Sequence, residues 1–107
     1  VTCTVIVLPE AKDDLLDTYL YVAEHDSISR ADALLEKLEH TCYSLNLNPE
    51  RGHAVPELKR VHVEGFREIH FKPYRIIFQK VVDTVYIHAV LDGIRELQEV
   101  LEGRVLR

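Results

Sequence analysis

Apolar positions change their spacing twice along the chain. Thr2 to Leu8 is a short run rich in Val, Ile and Thr, which predicts a strand. From Pro9 onward the apolar residues fall at helical spacing: Ala11, Leu15, Tyr19 and Val22. Proline suits the first helical position, and Glu10, Asp13 and Asp14 sit at the positive end of the helix dipole, so a helix is predicted to about His25. Ser29 with Asp32 three positions on has the spacing of a capping box, Asp replacing the usual Glu or Gln. Ala31, Leu34, Leu35, Leu38, Cys42 and Leu45 then trace the stripe of a second helix, and the stripe stops at Asn46 to Pro49. Two helices joined by a short polar turn make a hairpin. Asn48 to Pro56, with two prolines and a glycine, reads as a loop.

Beyond that loop the period becomes two. Phe66 to Lys72, Tyr74 to Val82 and Thr84 to Leu91 are β-rich runs separated by Pro73 and Asp83, distances that suit antiparallel hairpins. The order β-α-α-β-β-β predicts an α+β fold, a helical hairpin packed on one face of an antiparallel sheet, with Val5 and Ile6 in an outer strand. Glu96 to Leu106 has room for a short helical turn. Alternation sorts the sheet faces. Ile69, Phe71, Ile76, Phe78, Val85, Ile87, Ala89 and Leu91 form the set expected to meet the helices. Glu68, His70, Arg75, Gln79, Tyr86 and His88, mixed with Ile77 and Val90, form the opposite set, a half-exposed face carrying acid, base and cation together. Such a face is site-like, and it is also what cross-strand pairing on an ordinary antiparallel sheet produces.

Length and composition narrow the class. The 107 residues are 47% hydrophobic and 29% charged, which fits one domain over 1–107 with its own core and argues against disorder. No apolar run is long enough for a membrane span, and no signal peptide opens the sequence, so a cytoplasmic location and no membrane partner are expected. Cys3 and Cys42 stand in apolar stretches and read as buried reduced thiols. Eighteen acidic against 13 basic residues give a net charge of -5, so nothing global favours nucleic acid, although basic residues gather between Arg51 and Arg75. The six histidines show no ligand spacing such as H-E-x-x-H, and four scattered glycines make no phosphate loop. No metal and no cofactor are expected. Arg75, beside Tyr74 at the start of a central strand, has two readings: a two-donor grip on a phosphate or carboxylate, or a cross-strand ion pair with Glu68.

A set of segments then stands out in order: A-K-D-D-L (Ala11 to Leu15), Asn48-Pro49 after helix two, V-P-E-L-K (Val55 to Lys59), G-F-R-E-I (Gly65 to Ile69), P-Y-R-I-I-F (Pro73 to Phe78), T-V-Y-I-H-A-V (Thr84 to Val90), and Arg95. Together they resemble the RelE/ParE superfamily of bacterial type II toxins, over nearly the whole chain. The resemblance implies the same fold and two alternative activities. In the ribonuclease branch, which cuts messenger RNA on the ribosome without a metal, Arg75 matches the phosphate-stabilising arginine, Glu57 and Lys59 match a Glu and Lys of one subgroup, and His70 or His88 would donate a proton. Yet Leu101 falls where one subgroup has Tyr, Leu91 to Arg95 holds no His-Tyr pair, and Glu68 and His70 replace the paired lysines of another subgroup. The ParE branch, which poisons DNA gyrase through a protein contact, needs none of these, and the acidic charge suits it better than ribosome binding. The resemblance therefore implies a ParE-like gyrase inhibitor, with Arg75, Tyr86, His88 and Arg95 as target-binding residues. The ribosome-dependent ribonuclease is the alternative, and an inactive antitoxin-binding member the second alternative. All three imply a cognate antitoxin, bound in a toxin-antitoxin hetero-oligomer.

Overall fold

A computed structural model describes residues 2–93, 100, 101, 103 and 104. Its elements are strand β1 (Thr4–Val7), helix α1 (Pro9–His25), helix α2 (Ile28–Tyr43) ending in a 3₁₀ turn (Ser44–Asn46), strand β2 (His53–Ala54), helix α3 (Pro56–Arg60), and strands β3 (Phe66–Phe71), β4 (Tyr74–Val81) and β5 (Thr84–Asp92). Pro9 does open α1. The cap of α2 is two residues earlier than the capping-box spacing implied: Ser27 Oγ accepts the Arg30 amide, because Ser27 is the last residue with extended backbone. Tyr19 in α1 donates to Asp32 Oδ1 in α2 at 2.9 Å, tying the hairpin across its polar edge.

The sheet order is β1-β5-β4-β3-β2. Three pairings are antiparallel, but β1 lies parallel to β5, with Thr4 opposite Thr84 and Val7 opposite Ile87, so the sheet is mixed and not antiparallel throughout. Strand parity sets this: two antiparallel helices return the chain to the end of the sheet from which it left, so β2 runs against β1, and three antiparallel pairings later β5 runs with it. The segment expected to be loop also holds β2, and it runs directly into α3, where Pro56 again takes a first helical position.

One irregularity rearranges the faces. The β4–β5 register slips between Ile77 and Phe78, Ile77 facing Ala89 and Phe78 facing Ile87, so His88 is an extra residue on β5. A bulge inverts the alternation of everything after it. Val85 and Ile87 therefore join Ile69, Ile76 and Phe78 under the helices, as expected, but beyond the bulge it is Val90 that faces them. Ala89 and Leu91 face the other way. They meet Ile77, Phe66, Val55 and Leu58 in a second apolar cluster that also includes Leu101. The face expected to be half-exposed and polar is thus roofed in part by α3 and by the C-terminal segment, of which Val100, Leu101, Gly103 and Arg104 are helical. Cys3 and Cys42 are buried free thiols, and burial pushes Cys42 up to about 12. Among the described residues no helix is long and apolar enough to cross a membrane.

Candidate functional site

Strand register assembles a charged cluster beside α3. His70 stands directly opposite Arg75 across β3 and β4, and Glu68, two residues away on β3, points to the same face. Arg75 reaches diagonally to Glu68, its Nε donating to Oε1 at 2.7 Å and its Nη2 to Oε2 at 2.5 Å. The first turn of α3 supplies Glu57, which takes the other side of the fork: Nη1 to Oε2 at 2.7 Å and Nη2 to Oε1 at 2.9 Å. His70 Nε2 lies 2.5 Å from Glu68 Oε1. The ion pair with Glu68 is therefore present, and Glu57 doubles it.

Burial makes the cluster energetically demanding. The side chain of Glu68 is 1% exposed, that of Arg75 16% and that of Glu57 17%. Hydrogen bonds from Arg75 hold the Glu57 carboxyl below the usual carboxylate range. For Glu68, burial works to raise the value, but hydrogen bonds from Arg75 and His70 outweigh it and leave it low as well. The hydrogen bonds that Arg75 donates to Glu57 and Glu68 push its own pKa upward in turn, so all three groups are charged.

A second side-chain assembly borders the first. His53 in β2 is the register partner of Glu68, so His53, Glu68 and His70 come together, with one ligand atom from each within 4.8 Å of the others. Gly52 permits the approach: its φ is +83°, and a Cβ there would stand 2.0 Å from the Glu68 carbonyl oxygen. Arg67 fixes the same loop, donating to the carbonyls of Glu50, Arg51 and Gly52 at 2.9, 3.0 and 2.5 Å. Spacing along the chain could not reveal this trio, because a two-residue strand supplies its third member. The Glu68-x-His70 alternation was the one visible signal.

Other predicted residues separate from this cluster. Lys59 is exposed on α3. His88, the bulge residue, stacks edge-on against Phe66 with ring centroids 4.9 Å apart. Its Nε2 is buried with no hydrogen-bond partner among the described residues, and burial lowers its pKa. Tyr86 is half-buried on the same face. Arg95 lies outside the described residues. Sequence reasoning missed a further ionic link. Asp14, buried in α1, accepts Val90 N at 2.9 Å and both terminal nitrogens of Arg104, at 2.6 and 2.7 Å. An acid inside the apolar stripe of α1, next to Leu15, was its sign. On the helical side, a groove among α1, α2 and β1 is lined by Val7, Leu15, Leu16, Tyr19, Leu35 and Tyr43 and stands open.

A helical hairpin on a five-stranded mixed sheet is the architecture of RelE/ParE-type toxins. Comparison with known proteins makes that specific. The profile of the family described as ParE toxin of type II toxin-antitoxin system, parDE, matches residues 5–97, and the chain belongs to that family. Several solved structures share the fold, two of them from toxin-antitoxin systems. A chain of the chromosomal ParDE toxin-antitoxin system from P. aeruginosa aligns with a TM-score of 0.71 and 15% identity over 85% of this chain and 96% of that one. The RelBE2 toxin-antitoxin complex from Mycobacterium tuberculosis aligns with a TM-score of 0.63 and 21% identity over 86% and 99%. No curated protein matches the sequence.

Proposed function

We propose that this toxin arrests growth by inhibiting DNA gyrase through a protein contact, and that a cognate antitoxin neutralises it. The observation that carries the reading is the closure of Arg75. A phosphate-stabilising arginine must meet its anion with charge to spare, and here two carboxylates engulf the guanidinium, all but filling its fork. Together the three groups sum to one negative charge, which repels a phosphodiester. Family membership in the ParE branch points the same way. Arg75, Tyr86, His88 and Arg95 remain the target-binding candidates, with Arg75 held in place by Glu57 and Glu68. The antitoxin occupies the open groove by the apolar side of an extended or helical segment, since Leu16 and Tyr43 at its edges are about half exposed, at 53% and 48%, and their burial would drive binding.

One observation favours a second reading. Glu57, Glu68, His70 and Arg75 bring acid, base and cation within hydrogen-bond reach, with Lys59 on the neighbouring helix, which is the group a metal-independent messenger ribonuclease acting on the ribosome would require. The deciding experiment adds purified protein to a gyrase supercoiling reaction and, separately, to ribosomes holding a defined message. Loss of supercoiling with intact message is the expected outcome. Cleavage of the message in the A site with gyrase unaffected would overturn the proposal in favour of the ribonuclease, and no effect on either would mark an inactive, antitoxin-binding protein.

A further inference from the structure

From the donor set around Glu68 we propose that His53, Glu68 and His70 form a binding site for a divalent transition metal of the zinc class. Two imidazoles and a carboxylate are a complete three-ligand set for such an ion, with the fourth position left to water. Three features of the fold build it. The β2–β3 register sets His53 against Glu68, and the two-residue repeat of β3 sets His70 beside it. The loop clamp by Arg67 and the close approach at Gly52 hold β2 in that register. His53 Nδ1 is engaged with the Ala54 carbonyl oxygen at 2.9 Å, which fixes the tautomer and leaves Nε2 as the coordinating nitrogen.

One ligand atom from each residue lies within 4.8 Å of the others, so side-chain adjustment alone is asked for to close them around an ion about 2.0 to 2.2 Å from each. His53 and His70 are exposed while Glu68 is buried, so an ion arriving from solvent meets the imidazoles first and the carboxylate behind them. Arg75, the cation hydrogen-bonded to Glu68, is paired with Glu57 as well, which offsets its charge beside the ion. Imidazole nitrogen selects zinc, nickel or copper over magnesium and calcium. Bound metal would pin the edge strand β2 to β3 and hold Glu68 toward Arg75, whichever target the toxin has.

Calorimetric titration of the full chain with zinc chloride tests this. One equivalent is expected to bind, with magnesium giving no heat. His53→Ala and His70→Ala should each weaken zinc by at least about tenfold, while His25→Ala, on the far helix, should leave it unchanged. Both variants alter exposed residues, and circular dichroism of the metal-free proteins checks that they fold. Cobalt substituted for zinc should give visible absorption of a four-coordinate nitrogen-oxygen site in the native chain and not in either variant. Absence of stoichiometric binding, binding that survives either substitution, or equal loss in His25→Ala would overturn the proposal.

Discussion

Replacing Arg75 by Met keeps an unbranched apolar stem and removes the guanidinium with its charge and its donors, and the cost follows from the burial of the two acids it serves. Glu57, at 17% exposure on the short helix, can turn toward water when its partner goes. Glu68, at 1% exposure, cannot. The loss is therefore that of stranding one buried carboxylate, about 3 to 5 kcal/mol, well above the roughly 1 kcal/mol expected had Arg75 and Glu68 formed a surface pair. The pH dependence carries the signature. In the native protein both carboxyls sit below their ordinary range, so their stabilisation is present above about pH 4.3 and is lost as the pH falls through their depressed values. Without Arg75, burial dominates at Glu68 and raises it, so the variant regains stability on acidification as Glu68 takes up a proton. Urea unfolding followed by circular dichroism at pH 7.5 and 5.5 should show a deficit that shrinks at the lower pH. A deficit below about 1 kcal/mol at pH 7.5, or one that does not shrink, would refute the argument. The charge-swapped pair Arg75→Glu with Glu68→Arg should not recover the loss, because it sets Glu57 against a second acid. Loss of toxicity in Arg75→Ala thus assigns a role in target binding only if the protein is shown to remain folded.

Three further outcomes follow from other parts of the molecule. Asp14→Asn removes the charge that Arg104 and Val90 N share, so it should cost about 2 to 4 kcal/mol and speed hydrogen exchange at the Val90 amide. Partial burial lowers the pKa of His88, so the unfolded chain binds its proton more readily. Stability should fall as the pH drops below about 6.5, toward the lowered value of the folded state, and His88→Phe should remove that component from a pH series of melting curves. Val82, a β-branched residue at φ 55° in the β4–β5 turn, is strained, and Val82→Gly should raise the urea midpoint by the equivalent of about 1 kcal/mol.

Periodicity located both long helices and the three long strands because each carries enough repeats to be read locally. What escaped it was short or non-local. Two residues of β2 and five of α3 are too few to show a period, yet they deliver His53 and Glu57 to the cluster. Strict alternation also misplaced Ala89, Val90 and Leu91, since an inserted residue at His88 leaves no trace in the hydrophobic pattern. The parallel pairing of β1 escaped for the same reason, since the unseen β2 raises the number of strands after the helical hairpin from three to four. Arg75 and Glu68 were recognisable as partners because both lie in long strands on one face, and the family resemblance, carried by segments spread over the chain, supplied the function that no single residue did.

The link between Asp14 and Arg104 spans 90 positions, and among the described residues β1 finds its strand neighbour in β5, so the oldest part of the nascent chain waits for almost the youngest. Translation adds about 5 to 20 residues per second, leaving α1 and α2 on the surface for seconds with neither the sheet beneath them nor the buried acid matched. During that interval the apolar groove between the helices is incomplete, lacking the strand that positions Val7. The link between Asp14 and Arg104 in a growing chain accordingly forms only once synthesis has passed residue 104, and the groove that Val7 helps to line waits for β5 to hold β1 in place.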